Sequence, residues 1–403
     1  MRKLAFVVQR YGIGVVGGAE TLARDMAERT AAEGYDVTVI TTTAHDYVTW
    51  ADHFPPGESI LKGVRIIRYP VAQARDIEKF NRFSETFFAQ SAQDRDEETW
   101  FCMQGPHSPE LIRALGELED EFDLFVFFTY LYQPTVDGVL QIRNKPVILF
   151  PTAHDELPIY LSKVRRMMER VDAFFFLTQA ELELVRRVFT PKVRLTLLRT
   201  GIPQNPAGAE LFRRKHGIIL PYMLYAGRIE RGKGLETVIE AFRILRKRRL
   251  LEWILIGKQL MELPREQGIR YLGYISEAEK RSAFAGAVFS VQPSPLESLS
   301  ITTLESFVQK TAILANGHCA VLREHTELSG GGLTYEDEAG FVRNAEFLID
   351  DLRERRRMGR NGQEYVQRYF DWSGVIALFI EEMKAIYADW SRKRGLSHDR
   401  RTE

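Results

Sequence analysis

Four charged side chains in the second half of the chain have the types and spacing needed to bind a ligand with phosphate and sugar groups. Arg228 and Lys233 lie five residues apart in the glycine-rich segment 225–234, and Glu297 and Glu305 frame a serine-rich segment. Two cations ahead of a helix N-terminus can contact a diphosphate from two sides. Carboxylates accept hydrogen bonds from sugar hydroxyls, and amides at a helix start donate to phosphate oxygens. Standing alone, the basic segment would be a solvated loop, but together with the acidic segment it predicts a binding site.

A second glycine-rich segment, residues 12–20, follows the first apolar run and matches the pattern G-x-G-x-x-G. Such glycines let the backbone approach a pyrophosphate at a helix N-terminus. Three residues separate the apolar run from the first glycine, and no acidic residue ends the second apolar run cleanly. Both features are atypical of a dinucleotide site. The segment leaves open a nicotinamide or flavin site, a structural turn, and a site for another phosphate-sugar ligand.

Short apolar runs rich in Val, Ile and Phe must position these loops. Continuous apolar runs predict strands covered on both faces, as in parallel α/β sheets. The turn-forming segment 200–208 separates two groups of runs and predicts two successive doubly wound α/β domains. The runs are residues 4–8, 37–42, 64–69, 124–128, 147–150, 174–177 and 193–198 in the first group, and 223–226, 253–256, 269–272, 288–291 and 312–314 in the second.

Two segments depart from this alternation of strands and helices. Residues 72–109 are polar and aromatic, which predicts inserted helices and loops in the first domain. After Trp372 an amphipathic pattern predicts a last helix to about residue 390, followed by a frayed, charged end at 391–403.

Taken in order along nearly the whole chain, the motifs resemble the retaining glycosyltransferases of family 4 (group 1), which have the GT-B fold. Members carry an E-x7-E motif, an Arg and Lys pair after a strand, and an N-terminal Gly-Gly loop. Matching residues here are Glu297, Glu305, Arg228, Lys233, Gly17 and Gly18. The resemblance implies two Rossmann-like doubly wound parallel-sheet domains that face a central cleft. Residues 1–203, completed by the C-terminal helix 373–403, would form the acceptor-side domain, and residues 204–372 the nucleotide-sugar-binding domain.

The resemblance also implies a role for each matching residue of the second domain. Cations and backbone amides would hold the donor diphosphate: Arg228, Lys233, Leu299 and Ser300. Glu305 would bind the ribose hydroxyls, and Glu297 the hydroxyls of the donor sugar. The loop that contains Tyr274 and Ile275 would recognise the base.

In the first domain, Gly17 and Gly18 would lie in the loop that the family uses at its donor site. A histidine usually faces the reacting sugar in this family. His154 follows a predicted strand and matches that position, although a lone histidine is also compatible with a structural role.

Two positions depart from the family pattern. Ser300 replaces the glycine inside the acidic motif, which leaves the identity of the donor open. Residues 309–312, Gln-Lys-Thr-Ala, replace a segment with glycine and proline, and we expect this change to affect the packing of a helix against a strand. Neither change removes a charged ligand-binding residue.

Composition limits the remaining function classes. Lys and Arg number 55, as do Asp and Glu, so the chain has no overall positive field for nucleic acid. Two cysteines cannot build a disulfide framework, and the apolar runs are too short to span a membrane. We therefore expect a cytoplasmic protein, with peripheral association at the inner face of the membrane left open.

Two segments contain residue types that also occur in metal sites. Asp94-Arg95-Asp96 spells the D-x-D motif of metal-dependent glycosyltransferases, but no predicted strand precedes it. His318, Cys319 and His325 lack a fourth zinc ligand. We expect a solvated charged face at the first segment and packing or loop roles at the second, and no metal is assigned.

We expect a retaining glycosyltransferase, a hexosyltransferase, that moves a sugar from a UDP- or GDP-sugar to a hydroxyl acceptor without a metal or other cofactor. The acceptor could be a polysaccharide, a lipid-linked molecule or a small molecule. In the related family the departing phosphate is thought to take the acceptor proton, which agrees with the absence of an obvious protein base. The alternatives are a nucleotide-sugar epimerase of the same fold, a dinucleotide-dependent oxidoreductase, and a binding protein without turnover.

Overall fold

The computed structural model describes residues 1–395 and divides the chain into two compact units. Within the described residues, unit 1 contains residues 1–177, 181–198 and 375–395, and unit 2 contains residues 178–180 and 199–374. Residues 396–403, which belong to the predicted charged end, lie outside the described residues.

Unit 1 is built on an eight-stranded sheet. Its strands are β1 (Lys3–Val7), β2 (Asp36–Thr42), β3 (Gly57–Leu61), β4 (Val64–Tyr69), β5 (Leu124–Phe128), β6 (Val147–Phe150), β7 (Ala173–Phe176) and β8 (Arg194–Leu197). Their order across the sheet is β3-β4-β2-β1-β5-β6-β7-β8, and all neighbours are parallel except the antiparallel pair β3 and β4. Every residue of β5, β6 and β7 is buried, as their continuous apolar sequence predicts.

Helices cover this sheet, and two of them form the inserted segment. The helices are α1 (Gly18–Ala32), α2 (Ile77–Ala89), α3 (Glu97–Gln104), α4 (Pro109–Glu117), α5 (Gln133–Val136), α6 (Ser162–Arg170) and α7 (Gln179–Phe189). Asp76 caps α2 and Asp96 caps α3. The Oδ1 atom of each aspartate accepts a hydrogen bond at 3.0 Å from a backbone N–H in the first turn of the helix that it caps. The caps explain why helices form in this polar segment.

Unit 2 contains a six-stranded, all-parallel sheet. Its strands are β9 (Tyr222–Ala226), β10 (Glu252–Ile256), β11 (Ile269–Tyr271), β12 (Phe289–Gln292), β13 (Ile313–Asn316) and β14 (Gly332–Tyr335). They follow the order β11-β10-β9-β12-β13-β14. The order reverses between β9 and β12, and such a switch point opens a crevice at the carboxyl ends of the strands.

In the part of the chain that the structure describes, seven helices accompany the second sheet, and an eighth returns to unit 1. They are α8 (Glu210–His216), α9 (Leu235–Arg248), α10 (Glu277–Gly286), α11 (Ile301–Val308), α12 (Ala320–Ser329), α13 (Glu338–Asp350), α14 (Leu352–Tyr369) and α15 (Trp372–Lys393). From Val375 onward α15 belongs to unit 1. The fully buried ring of Phe379 lies 5.6 Å from the ring of Phe175 and 6.1 Å from that of Phe6, measured between centroids.

Two strands have no counterpart among the predicted runs. β3 is an exposed edge strand, Gly-Glu-Ser-Ile-Leu, without a continuous apolar run, and it pairs with β4 across a two-residue turn at Lys62 and Gly63. β14 is short and begins with a glycine that packs against the backbone of Ile313. Among the described residues, no helix combines the length and the apolar character that crossing a bilayer requires.

Candidate active site

The loops after β9 and β12 carry the charged residues that the sequence singled out. Because β9 and β12 are parallel neighbours, both loops leave the same edge of the sheet at its switch point. Lys233 Nζ lies 2.9 Å from Glu297 Oε1 and 3.3 Å from Ser294 Oγ. The structure therefore brings together two of the predicted ligand-binding residues that are 64 positions apart.

Glycine at two positions allows the loop after β9 to pack closely against the loops after β12 and β10. Gly234 has a φ of 74°, and a Cβ there would lie 2.3 Å from the carbonyl oxygen of Pro293 in the β12 loop. Gly257 has a φ of 128°, and its Cβ would lie 2.0 Å from the carbonyl oxygen of Gly227. Any other residue would push the loops apart.

Arg228 keeps a large part of its side chain in solvent. Its guanidinium lies 3.2 Å from Glu230 Oε1, and 44% of the side chain is exposed. Tyr225 holds the backbone beneath it, since its hydroxyl donates to the Arg228 carbonyl oxygen at 2.7 Å. The arginine is thus an accessible cation on a fixed loop.

Ser300 directly precedes α11 but does not cap it through its side chain. Its φ is 61°, in the left-handed region that favours glycine, and its Oγ lies 2.9 Å from Thr303 Oγ1. Ser300 is thus the N-cap residue of α11, but its side chain makes no capping hydrogen bond to the helix backbone. Ser300 thus holds a backbone conformation that glycine adopts more readily.

A buried histidine holds the segment before α11. His325 Nε2 donates to the Leu299 carbonyl oxygen at 2.7 Å, and Tyr365 donates its hydroxyl to His325 Nδ1 at 3.1 Å. Burial lowers the pKa of His325 to about 4, so the ring is neutral and can donate through one nitrogen while accepting through the other. Sequence reasoning weighed His325 as a zinc candidate and favoured a packing or loop role, but it did not identify this contact with Leu299. His318 instead contacts the Glu336 carbonyl oxygen at 2.9 Å.

Glu305 occupies the second turn of α11. Its Oε1 accepts a hydrogen bond from Lys280 of α10 at 2.8 Å. Lys280 was not predicted, because a lysine inside a charged helix segment gives no sequence signal.

The loop assigned to base recognition follows β11. Tyr274 is 71% exposed there, and Ile275 packs against one of the buried clusters of unit 2. Gly257 donates its backbone N–H to the Gly273 carbonyl oxygen at 2.9 Å, which ties this loop to the end of β10. The exposed ring is thus presented from a fixed loop.

The glycine loop of unit 1 surrounds a buried ion pair. α1 begins at Gly18, and a Cβ on Gly17 would lie 2.1 Å from Glu20 Oε2. Arg10 and Glu20 form a salt bridge with 4% and 6% of their side chains exposed, and Arg10 also donates to the Val16 carbonyl oxygen at 3.1 Å. The acidic residue after the two glycines therefore fixes the loop. Sequence reasoning did not identify this role.

His154 follows β6 and belongs to a short polar chain. Its Nδ1 lies 3.5 Å from Glu156 Oε1, which also accepts from the Tyr130 hydroxyl at 2.8 Å. Burial raises the pKa of Glu156, but contacts with His154 and Tyr130 outweigh it and leave the pKa below its usual range. An ionised Glu156 can orient His154, of which 30% is exposed. Neither Glu156 nor Tyr130 was predicted.

The predicted residues thus fall into two groups. Gly17, Gly18 and His154 lie in unit 1. In unit 2 lie Arg228, Lys233, Tyr274, Ile275, Glu297, Leu299, Ser300 and Glu305.

The D-x-D segment has an ordinary helix-start structure. Asp96 caps α3, and Asp94 accepts from Ser91 Oγ at 2.6 Å. Within residues 1–395, no cluster of three or more His, Cys, Asp or Glu side chains is arranged to hold a metal ion.

Comparison with known proteins gives these residues a context. Residues 210–365 match the family model described as Glycosyl transferases group 1. Glycogen synthase of Thermus thermophilus is 26% identical over 200 residues, or 44% of this chain and 43% of the relative. D-inositol 3-phosphate glycosyltransferase of Paenarthrobacter aurescens is 28% identical over 178 residues, or 40% of this chain and 43% of the relative. Each alignment therefore spans less than half of the relative.

Solved structures resemble the chain over nearly its whole length. Sucrose-phosphate synthase from Thermosynechococcus elongatus has a TM-score of 0.71 at 16% identity, covering 96% of this chain and 100% of that one. HepE from Anabaena, solved in complex with UDP and glucose, has a TM-score of 0.70 at 15% identity with the same coverage. At these identities the likeness establishes the fold. The predicted GT-B fold, with two parallel-sheet α/β domains, is confirmed.

Proposed function

We propose that this protein is a retaining glycosyltransferase that moves a sugar from a nucleoside diphosphate sugar to a hydroxyl acceptor without a metal ion. The observation that carries the proposal is the contact between Lys233 and Glu297 at the switch point between β9 and β12. A cation and a carboxylate there, beside the accessible Arg228, suit a ligand with a diphosphate next to hydroxyl groups. The match of residues 210–365 to the glycosyl transferase group 1 family supports the same conclusion.

Binding of the donor would exchange the partner of Lys233. In the structure its ammonium contacts Glu297, and a bound diphosphate would offer it a more highly charged anion. Glu297 would then be available to accept hydrogen bonds from the donor sugar. Arg228 would contact the diphosphate, and the amides at the start of α11 would donate to its oxygens.

The reaction breaks the bond between the anomeric carbon and the diphosphate oxygen and forms a bond from the acceptor oxygen to that carbon on the same face. Both bonding electrons leave with the diphosphate, and its oxygen takes the acceptor proton. Negative charge grows on the diphosphate during this step, so Arg228 and Lys233 stabilise the transition state more than the ground state. The two cations thus supply the charge that a metal would otherwise provide.

We assign the acceptor side of the reaction to unit 1, where His154 would face the reacting sugar. Glu156 and Tyr130 support this role, because they fix the orientation of the imidazole. Gly17 and Gly18 would lie at the donor, on a loop held by the Arg10 and Glu20 ion pair. UDP is the first nucleotide to test, since HepE was solved with UDP and glucose.

Calorimetry with UDP and GDP and a transfer assay with UDP- and GDP-sugars test the proposal. We expect one nucleoside diphosphate to bind and its sugar to be transferred with retained anomeric configuration in the presence of EDTA. Arg228→Ala should weaken binding and transfer together, whereas His154→Ala should lose transfer and keep binding. Activity that disappears in EDTA and returns with Mg²⁺ would contradict the metal-independent mechanism. Epimerised donor formed without an acceptor would identify an epimerase instead.

A further inference from the structure

Glu305 has two carboxylate oxygens in different environments. Oε1 accepts from Lys280 Nζ at 2.8 Å. Oε2 is buried and has no hydrogen-bond partner among the described residues. A buried carboxylate oxygen without a partner is costly, so the fold keeps one strong acceptor unused at this point.

The ammonium group of Lys280 contacts two carboxylates. Its ammonium lies 2.8 Å from Glu305 and 3.0 Å from Glu277 Oε2, and only 22% of its side chain is exposed. The lysine links α10, on which it lies, to α11, which carries Glu305. This arrangement leaves Lys280 well placed to hold Glu305 and limits its access to a ligand.

The helix that carries Lys280 is itself firmly anchored. Ser276 and Glu279 form a capping box at its start, with the Ser276 hydroxyl 2.7 Å from Glu279 Oε2. Glu279 Oε1 lies 2.9 Å from Lys215 Nζ and 3.0 Å from His216 Nε2 of α8. Since Ser276 directly follows the loop of Tyr274 and Ile275, α10 connects that loop to the lysine.

We propose that Lys280 is a positioning residue for nucleotide binding: it occupies Oε1 of Glu305 and leaves Oε2 as the acceptor for a ribose hydroxyl. This inference rests on the proposed function, in which Glu305 binds the ribose. It adds the residue that orients the carboxylate and restricts hydroxyl recognition to one oxygen.

Lys280 also favours the ionised form of Glu305, although burial leaves the pKa of this carboxyl above its usual range. Burial raises the pKa of Glu305, and the nearby ammonium of Lys280 opposes that rise. Glu277 raises the pKa further and Arg281 lowers it, and both lie on α10 with Lys280. A protonated Glu305 would accept a ribose hydrogen bond more weakly. Nucleotide affinity should therefore fall as the pH drops through the pKa of Glu305, and removal of Lys280 should shift that fall to higher pH.

Calorimetry with UDP and 2′,3′-dideoxy-UDP on the full chain tests this role, because only UDP carries the ribose hydroxyls. We expect Lys280→Met to weaken UDP binding at pH 7 by about tenfold or more, the range for a charged hydrogen bond. Binding of dideoxy-UDP should change by less than about twofold on the same scale. Arg281→Met is the matched control, because it removes a cation of the same helix that affects Glu305 electrostatically without a hydrogen bond. It should therefore weaken UDP binding much less than Lys280→Met does.

A double-mutant cycle separates positioning from direct contact. Glu305→Gln should weaken UDP binding, and adding Lys280→Met to that variant should cause no further loss. A pH series should move the fall in UDP affinity to higher pH in Lys280→Met alone, which a merely structural lysine would not do. Equal losses of UDP and dideoxy-UDP, or unchanged UDP binding in Lys280→Met, would overturn the inference. If the wild-type chain binds no nucleoside diphosphate, the proposed function itself fails.

Discussion

At the scale of single residues, the candidate ligand-binding charges of unit 2 have partners within the protein. Lys233 contacts Glu297, Glu305 contacts Lys280, and Arg228 contacts Glu230. Such pairs keep the side chains ordered and neutralise them locally. A bound diphosphate would therefore replace the contacts of Lys233 and Arg228, whereas a ribose hydroxyl on Oε2 of Glu305 would leave the contact with Lys280 in place.

The pair of Lys233 and Glu297 leads us to expect that Glu297→Gln affects UDP binding and turnover differently. Glu297→Gln removes the anion that competes for Lys233, so UDP binding should stay the same or tighten slightly. The lost contacts to the donor sugar should lower kcat by roughly tenfold to a thousandfold. Calorimetry with UDP and a transfer assay on the same preparation measure both effects.

Glu305→Ala supplies the comparison for Glu297→Gln. Loss of a charged hydrogen bond to the ribose should weaken UDP binding by about 1.5 to 3 kcal/mol. Equal losses of UDP affinity in Glu297→Gln and Glu305→Ala would show that the two carboxylates do not divide sugar and ribose between them.

Sequence reasoning identified residues with strong motif signals and missed those that act through them. Lys233 and Glu297 were predicted, and their contact agrees with a common site. Lys280, Glu156 and Tyr130 were not, since each is an ordinary residue type whose role depends on a partner from another element. Such partners become visible only when the fold brings the elements together.

At the scale of elements, the start of α11 contains a strained residue. A left-handed conformation costs a non-glycine residue about 1 to 2 kcal/mol, and a glycine costs about 0.5 to 1 kcal/mol in chain entropy. Ser300→Gly should therefore raise the free energy of unfolding by roughly 0.5 to 1 kcal/mol. Urea denaturation measures the change.

Ser300→Ala is the matched control for strain. Alanine keeps the side-chain clash of the left-handed backbone and removes the hydroxyl contact with Thr303, so this variant should lose stability. If glycine and alanine shift the urea midpoint in the same direction, the strain at position 300 does not determine the stability of this segment.

The link from α12 and α14 to the Leu299 segment makes stability depend on pH. The pKa of His325 falls from its ordinary value of 6.5 to about 4, because the ring is buried. Between these values the unfolded chain binds a proton that the folded chain excludes. The contribution of His325 is therefore complete above pH 6.5 and is lost as the pH falls toward 4, a change of about 3 kcal/mol.

His325→Phe should remove this pH dependence, along with the contact to Leu299. The control is His318→Gln, which replaces an exposed histidine that takes no part in the contact with Leu299. Urea midpoints measured from pH 4.5 to 7.5 compare the three proteins. A wild-type slope that survives in His325→Phe would assign the effect to another group.

The elements themselves were predictable where the sequence was strongly apolar. Predicted runs 124–128 and 147–150 coincide with β5 and β6, which lie in the middle of their sheet. β3 was missed, because an edge strand held by pairing with β4 needs no apolar pattern of its own. The apolar pattern of the sequence therefore indicates which strands are buried, and it does not detect an exposed strand.

At the scale of the whole molecule, the C-terminal helix makes unit 1 discontinuous in sequence. Its first residues belong to unit 2, and from Val375 onward it belongs to unit 1. Phe379 contacts the rings of Phe6, Phe150 and Phe175, so three strands from the start and middle of the chain depend on a residue near its end. Unit 1 can complete its core only after the whole of unit 2 has been synthesised.

We therefore predict that a destabilising substitution in α15 lowers the stability of unit 1. Phe379→Ala removes a fully buried ring and should cost about 3 to 5 kcal/mol. Hydrogen exchange followed by mass spectrometry should show lost protection in peptides of β1, β6 and β7, while peptides of β9 and β12 in unit 2 keep theirs. UDP binding should be retained at temperatures where unit 2 remains protected, because the proposed nucleotide contacts lie there.

Glu381→Ala, on an exposed position of the same helix, controls for helix propensity and should leave exchange unchanged. Loss of protection that spreads equally through unit 2 would mean that the two units unfold as one.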